Sequence, residues 1–183
     1  LPERIGDTYI FSQKYIGLEI TKAALIGTKI FVSGKKATIY DFYHEPIVKK
    51  EPEENNQRTI NAIQKLLQKA GKSCYIRLAV PSHLVIFKEF TFPFIEEDKI
   101  RQILPFEFEP QIPFSIVDIS FDFIVTKQDV EKKQTTILVG ITQKKDLDYY
   151  IKLLKKAGAP LANITVDIFA FYGLYRIHPT YRH

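Results

Sequence analysis

The sequence contains a single cysteine, Cys74, and neither methionine nor tryptophan. One cysteine excludes an intrachain disulfide and a metal cluster built on cysteine. Cys74 opens an apolar stretch typical of a buried strand, so we predict an inert core thiol rather than a reactive one. Apolar runs are only a few residues long, whereas a membrane-spanning helix needs roughly 20 residues. Because the N-terminus also lacks the pattern of a signal peptide, we expect a cytoplasmic protein.

The balance of charge excludes little. The formal net charge is +5, and the lysines and arginines are scattered rather than gathered in one stripe. A nucleic-acid surface usually interleaves such a stripe with stacking aromatic residues, so we predict no nucleic-acid partner. Weak attraction to an anionic membrane face stays open. The four histidines are far apart and lack the spacing of metal ligands, so we predict no metal site.

Hydrophobic periodicity predicts an α/β fold in which strands and helices alternate. The predicted strands cover residues 15–20, 29–32, 36–47, 74–80, 84–92, 116–125, 135–142 and 164–166. The predicted helices cover residues 56–70, 96–109, 143–157 and 167–177, the third of them capped by Thr142. Residues 1–14 are expected to form an irregular lead-in. Turns predicted at Gly27-Thr28 and Gly34-Lys35 separate the first strands of an antiparallel meander.

Five stretches of this chain resemble one family. Residues 17–23, Gly-Leu-Glu-Ile-Thr-Lys-Ala, resemble the first phosphate loop of the actin-like ATPase superfamily. Four later stretches narrow the resemblance to the N-terminal half of PilM-type type IV pilus assembly proteins, which are related to the cytoplasmic domain of L-type type II secretion proteins. These stretches are residues 77–82, 105–114, 155–160 and 166–171. The stretch 105–114 is the most specific, because the family has a similar Phe-Glu…Ile-Pro-Phe run there.

The resemblance implies a fold of two pieces. One is a ribonuclease H-like (actin-like) subdomain, built from residues 1–82 and 159–183. The other is a small subdomain of strand, helix, strand, strand and helix, inserted as residues 83–158. A whole actin-like protein has a second ribonuclease H-like half with the adenosine site, and the resemblance does not extend to that half.

The phosphate loop departs from the family pattern, which resembles Gly-x-Asp-x-Gly-Ser-Ser. Glu19 stands at the Asp position, Thr21 at the second Gly, and Lys22 and Ala23 replace the small hydroxyl residues, so only Gly17 remains. A side chain at Thr21 should hinder the approach of phosphate to the backbone. We therefore predict no enzyme activity and no cofactor, with ATP and Mg²⁺ binding left open only for a longer chain.

Residues 105–114, called the Phe/Pro run below, are a better candidate for a functional site than the phosphate loop. The resemblance implies a groove between the two subdomains that holds the cytoplasmic N-terminal segment of an N-type pilus assembly protein or an equivalent inner-membrane partner. The residues expected to line or support that groove are Arg101, Phe106, Glu107, Phe108 and Glu109. We expect the two glutamates to form a solvent-facing rim beside buried phenylalanines. The alternative is that these aromatics are simply the core of the inserted subdomain.

The expected function is that of a scaffold at the inner face of the cytoplasmic membrane, in a type IV pilus or type II secretion platform. Membrane association would be peripheral and would run through partners, and a homo-oligomer is left open. The alternative is a fragment of a nucleotide-binding actin-like ATPase or of an FtsA-like cell-division protein.

Overall fold

The computed structural model describes residues 4–5, 8–47, 54–71 and 74–170, which contain nine β-strands and three α-helices. The strands are β1 (Arg4–Ile5), β2 (Thr8–Ile20), β3 (Ala24–Gly34), β4 (Lys36–Pro46), β5 (Tyr75–Val80), β6 (Ile86–Phe92), β7 (Ile119–Asp129), β8 (Gln134–Gln143) and β9 (Leu161–Val166). The helices are α1 (Glu54–Ala70), α2 (Glu97–Phe108) and α3 (Lys144–Lys156). Residues 167–170 are also helical, and the rest of the helix predicted at 167–177 lies outside the described residues.

The chain divides into two compact units, one made of residues 1–81 and 150–183 and the other of residues 82–149. The prediction gave residues 83–158 to the inserted subdomain, so the two divisions differ at residue 82 and, more widely, at residues 150–158. These residues form the end of α3 and the turn after it, and they include the buried Leu153 and Leu154. The second unit as a whole lies in the connection between β5 and β9.

The first unit is built on a mixed sheet with the strand order β4-β3-β2-β5-β9, and β1 pairs with the start of β2. β2, β3 and β4 form the predicted antiparallel meander, whereas β5 runs parallel to β2 and β9 runs parallel to β5. The buried strand residues alternate along β2 and β5, as expected where one sheet face packs on a core. The alternating residues are Ile16, Leu18, Ile20, Ile76, Leu78 and Val80, and Tyr15, on the other face of β2, is buried as well.

Helix α1 contacts β3 and β4. Its buried apolar residues recur at spacings of three and four: Ile60, Ile63, Leu66 and Ala70. Within β3, a Cβ atom built on Gly27 would lie only 3.0 Å from Leu66 Cδ1. Gly27 therefore permits close packing of helix on sheet, and the turn predicted at Gly27-Thr28 is wrong. The turn at Gly34-Lys35 is confirmed, with Gly34 in the left-handed region at φ 59°.

The hairpin of β2 and β3 extends further than its sequence pattern indicates. β2 begins at Thr8 rather than at Tyr15, and its first half pairs with the end of β3 through Tyr9 and Gly34 and through Gln13 and Val32. The prediction of an irregular lead-in is therefore wrong for residues 8–14. Backbone pairing with β3 extends the strand there, and that pairing does not depend on apolar alternation.

The second unit contains a three-stranded antiparallel sheet in the order β6-β8-β7, with α2 packed on it. Its core cluster consists of Phe92, Ile100, Leu104, Phe108, Ile119, Ile137, Val139 and Ile141. The predicted order of strand, helix, strand, strand and helix is confirmed. The predicted cap of α3 is wrong, because the helix begins at Lys144 and the Thr142 hydroxyl donates a 2.8 Å hydrogen bond to the Leu84 carbonyl instead.

Candidate functional site

The Phe/Pro run begins in the last turn of α2. The helix continues past Pro105 as far as Phe108 and then changes to a 3-10 turn at Glu109–Gln111. Phe106 and Phe108 are two positions apart, so on a helix of 3.6 residues per turn their side chains point about 200° apart. If one of the two side chains points into the core, the other must therefore point away from it.

The structure divides the two aromatics in this way. Phe108 is 0% exposed, and its ring packs edge-on against Phe121 with 5.2 Å between the ring centroids. Phe106 is 72% exposed. The expectation that both phenylalanines are buried is wrong for Phe106, because the helical period turns its side chain to solvent. Phe108 belongs to the core of the second unit, as the second of the two alternatives predicted, whereas Phe106 is a surface residue.

The two glutamates beside Phe106 lie on the surface. Glu107 and Glu109 are both exposed, as the expected solvent-facing rim requires. The Glu107 carbonyl accepts a 3.0 Å hydrogen bond from Gln111 Nε2, which ties the last turn of α2 to the 3-10 turn. This end of the helix therefore presents an exposed aromatic side chain beside two carboxylates.

Arg101 lies on another side of the helix. Its guanidinium donates to Asp122 Oδ1 at 2.9 Å and lies 4.7 Å from the centre of the Phe123 ring, so it is held against β7. Five positions separate Arg101 from Phe106, which turns their side chains about 140° apart. Phe106, Glu107 and Glu109 are therefore all exposed at the end of α2, whereas Arg101 lies on the side of α2 that faces β7. The groove itself stays a prediction.

The first unit has an exposed apolar surface that was not predicted from the sequence. Ile26, Ile39 and Phe42 are exposed and lie on one face of the β3–β4 ladder, where Phe42 pairs with Thr28 and Ile39 pairs with Ile30. This is the face opposite to Gly27 and α1, because neighbouring residues of a strand point to opposite faces. β4 has apolar residues on both of its faces, so alternation alone could not indicate which face is exposed.

The residues of the predicted phosphate loop lie on β2 and in the turn that follows it. Gly17 is in mid-strand, paired with Thr28 on one side and with Arg77 on the other, and a Cβ atom built on it would meet nothing closer than 3.9 Å. Glu19 is also within the strand and is only partly exposed. Lys22 is exposed in the turn. The residues predicted to form the phosphate loop therefore form the end of β2 and the hairpin turn between β2 and β3.

Thr21 closes this turn with its own side chain. Its Oγ1 accepts hydrogen bonds from the Ala24 N–H at 2.9 Å and from the Ala23 N–H at 3.3 Å. The same hydroxyl donates to the Ala24 carbonyl at 2.8 Å, and the Thr21 N–H donates to that carbonyl at 3.0 Å. The Ala23 and Ala24 amides are therefore already hydrogen-bonded within the turn and are not free to bind a phosphate oxygen.

Glu45 is a buried charge at the end of β4. Its side chain is 3% exposed and forms ion pairs with Lys69 and, at 2.9 Å, with Lys65 on α1. The hydrogen bonds from Lys69 and then Lys65 lower the pKa of the Glu45 carboxyl below its ordinary value, against the opposing effect of burial. The cluster joins the sheet to the helix. Among the described residues, no three His, Cys, Asp or Glu side chains are grouped closely enough to hold a metal ion.

Comparison with known proteins decides the family. The family model described as "Type IV pilus assembly protein PilM" matches residues 17–178. The chain belongs to this family. A search of the curated proteins found no match.

Two solved structures share the fold. A structure described as a PilM–PilN type IV pilus biogenesis complex is similar with a TM-score of 0.73 and 21% identity, covering 88% of this chain and 50% of that one. The cytoplasmic domain of EpsL, an inner-membrane component of the type II secretion system of Vibrio cholerae, is similar with a TM-score of 0.60 and 11% identity, covering 86% of this chain and 59% of that one. The predicted fold class is confirmed. The chain spans about half the length of the first of these structures.

None of the helices in the described part of the chain combines the length and the apolar character needed to cross a bilayer.

Proposed function

We propose that this chain is a scaffold of a type IV pilus or type II secretion platform at the cytoplasmic face of the inner membrane. It binds the cytoplasmic N-terminal segment of a membrane partner, an N-type pilus assembly protein or its equivalent, and catalyses no reaction. Support comes from the family, and from two similar structures described as a PilM–PilN complex and as a cytoplasmic domain of an inner-membrane secretion component.

The observation that carries partner binding is the exposure of Phe106. A phenylalanine that is 72% exposed leaves a large apolar ring in water, and aromatic rings of this kind are frequent anchors in protein–protein interfaces. Glu107 and Glu109 stand beside it with exposed carboxylates. An apolar anchor with an acidic rim favours a partner segment that carries both an apolar side chain and basic residues.

The sequence and the hydrogen bonds of the β2–β3 turn support the proposal that the chain catalyses no reaction. Glu19 replaces the aspartate of the family pattern, and the turn amides of Ala23 and Ala24 are bonded to Thr21. Catalysis of phosphoryl transfer depends on donors that are free to stabilise the phosphoryl oxygens. In this turn the amides of Ala23 and Ala24 are not free to donate to phosphoryl oxygens.

Partner binding can be tested by titrating the full chain into a fluorescently labelled peptide with the sequence of the N-type partner's cytoplasmic N-terminal segment. We expect saturable binding and expect Phe106→Ala to weaken it by about tenfold or more, the effect of losing an interface anchor. Val130→Ala is a matched control, because Val130 is an exposed apolar residue of the same unit outside the candidate segment. It should bind the peptide as tightly as the original chain.

Two outcomes would contradict the proposal. One is the absence of saturable binding at high micromolar concentrations of chain, and the other is equal weakening by Phe106→Ala and Val130→Ala. A melting temperature raised by Mg-ATP would favour the actin-like ATPase alternative, because a ligand that binds only the folded state stabilises it. Large assemblies in sedimentation would favour the filament-forming alternative.

A further inference from the structure

Strand β4 is the outer strand of the sheet in the first unit. It pairs with β3 on one side, and no strand in the described part of the chain pairs with its other side. An outer strand presents a row of unpaired backbone N–H and C=O groups, with which another extended segment can pair. Residues 36–42 are all exposed, and they include three large apolar side chains, Ile39 at 53%, Tyr40 at 65% and Phe42 at 71%.

The open part of this edge is short and has a defined end. The register with β3 shifts at Tyr40, which is left as the extra residue of a β-bulge. Just beyond the bulge, Asp41 Oδ1 accepts a 2.9 Å hydrogen bond from the Phe42 N–H, so that amide is already hydrogen-bonded within the chain. The regular segment of the edge therefore consists of residues 36–40, and its midpoint is Thr38.

We propose that this segment pairs with the same segment of a second copy of the chain, antiparallel and centred on Thr38. A two-fold axis perpendicular to the sheet makes the two strands antiparallel, and the register that uses the whole regular segment puts Thr38 on that axis. Directly opposite residues of an antiparallel pair share one face of the sheet, so each position of the register can be checked for complementarity.

The charges beside the segment are self-complementary in this register, which favours a second copy as the occupant of the edge. Lys35 lies opposite Asp41 of the second copy, and symmetry produces this pair of exposed charges twice. Lys36 lies opposite Tyr40, whose ring face attracts a cation. Lysines on an outer strand usually discourage pairing, but in this register no lysine lies opposite another lysine.

The faces of the two strands match as well. Ala37 and Ile39 both lie on the face of the sheet opposite α1, with Thr38 between them on the other face. Ala37 lies opposite Ile39 of the second copy, so pairing removes part of each exposed Ile39 side chain from water. The two Thr38 side chains meet on the axis, where their hydroxyls can hydrogen-bond to each other.

Cysteine cross-linking of the full chain tests the register. Thr38→Cys places two thiols directly opposite each other, so mild oxidation should give covalent dimers. Ala37→Cys is the matched control, because its two thiols lie diagonally across the axis and should cross-link about tenfold more slowly or less. A mixture of Ala37→Cys and Ile39→Cys should cross-link rapidly again, since those positions are opposite. The native Cys74 is buried, and the original chain measures its background.

Sedimentation equilibrium of the full chain at low salt tests the association itself. A pairing this short lies well below a standard interface of about 1,600 Å², so we expect a weak dimer with a Kd between about 10 µM and 1 mM. Lys35→Asp and Asp41→Lys should each weaken self-association about three- to tenfold, because each places like charges opposite each other twice. An equimolar mixture of the two variants should recover the association, since each altered residue then lies opposite its complement.

Three outcomes would overturn the proposal. An original chain that stays monomeric up to about 1 mM would do so and would leave the edge to a strand of another protein. A dimer in which Thr38→Cys cross-links no faster than Ala37→Cys would pair in another register or through another surface. A mixture of the two charge variants that associates no better than either variant alone would contradict the pairing of Lys35 with Asp41. Partner binding was argued from the second unit, so either proposal can fail without the other.

Discussion

In the first unit, helix α1 is held to its sheet by apolar packing and by charge, whereas in the second unit helix α2 is held to its sheet by apolar and aromatic packing. The charge in the first unit is the buried Glu45 carboxylate, which two lysines of α1 contact. The second unit also has an ion pair between helix and sheet, from Arg101 to Asp122, but both of its side chains are largely exposed. The same kind of contact is therefore buried in one unit and solvated in the other.

This difference shows why a count of ion pairs says little about stability. Exposed pairs gain little because water already stabilises both charges. A buried carboxylate has lost its water and depends on its partners, so removing either side has a larger effect. The second unit replaces this dependence with edge-on aromatic packing of Phe108 against Phe121. The two units should consequently respond differently to core truncation, to loss of charge and to pH.

The largest expected effect is the loss of Phe108. Phe108→Ala removes a fully buried ring from the core of the second unit and should lower its free energy of unfolding by about 3–5 kcal/mol. Phe106→Ala, two positions away on the exposed side, should change it by less than about 0.5 kcal/mol. Urea unfolding measures both, and amide exchange along β8 and β5 assigns the loss to a unit. Equal effects of the two substitutions would contradict the division of the two aromatics between core and surface.

The next effect is the loss of the buried charge. Glu45→Gln keeps the shape of the side chain but removes the charge that Lys65 and Lys69 contact, and it should cost about 1–3 kcal/mol. The effect should stay below that of Phe108→Ala, because both lysines are half exposed and can return to water. Glu131→Gln, at an exposed glutamate, serves as the control and should leave urea unfolding unchanged. If Glu45→Gln left the free energy of unfolding unchanged, the two ion pairs would contribute no net stability.

The contribution of Glu45 should also depend on pH. Its pKa is lowered in the folded state from an ordinary value of 4.5, so folding favours the ionised carboxylate. Its stabilisation is therefore fully present above pH 4.5 and is lost as the pH falls through the lowered pKa. The difference in unfolding free energy between the original chain and Glu45→Gln should be constant from about pH 6 to 7 and should shrink below about pH 4.5. A difference that grows on acidification would contradict this sign.

Much of the fold could be predicted from the sequence because its signals are local. The helix predicted from hydrophobic periodicity at residues 56–70 is found as α1, and Gly71, which follows it, lies in the left-handed region at φ 88° that commonly ends a helix. The errors arose where a tertiary contact decides the structure. Gly27 was taken for a turn residue, although it lies within β3 to make room for Leu66. Thr142 was taken for a helix cap, although its hydroxyl bonds to Leu84 in the neighbouring segment.

The candidate site could be predicted only in part. The sequence marked the run that contains Phe106 and Phe108, but it did not separate the exposed ring from the buried one. That separation follows from where α2 begins and which side of it meets the sheet. The departures of Glu19 and Thr21 from the family pattern were visible in the sequence. The bonds from Thr21 to the turn amides were not, because they depend on the rotamer of one side chain.

A smaller effect is expected at the end of α1. Lys29 Nζ donates a 2.8 Å hydrogen bond from β3 to the carbonyl of Ala70, the last residue of the helix. A cation at this end is favoured by the helix dipole, so Lys29→Met should cost about 0.5–1 kcal/mol in urea unfolding. Lys35→Met, in the exposed turn after β3, is the control and should have no measurable effect. A loss as large as that of Glu45→Gln would mean that charge in this unit acts through more than the buried carboxylate.

The smallest effect is expected at the exposed ion pair of the second unit. Asp122→Asn removes the charge that Arg101 contacts, while its side-chain oxygen can still accept the 3.0 Å hydrogen bond from the Phe123 N–H. Because the side chains of Arg101 and Asp122 are 52% and 81% exposed, the loss should be below about 1 kcal/mol and should fade at high salt. Urea unfolding at low and high salt measures it beside Glu45→Gln. If Asp122→Asn cost as much as Glu45→Gln at both salt concentrations, burial would not be what separates the two ion pairs, and the contrast between the units would fail.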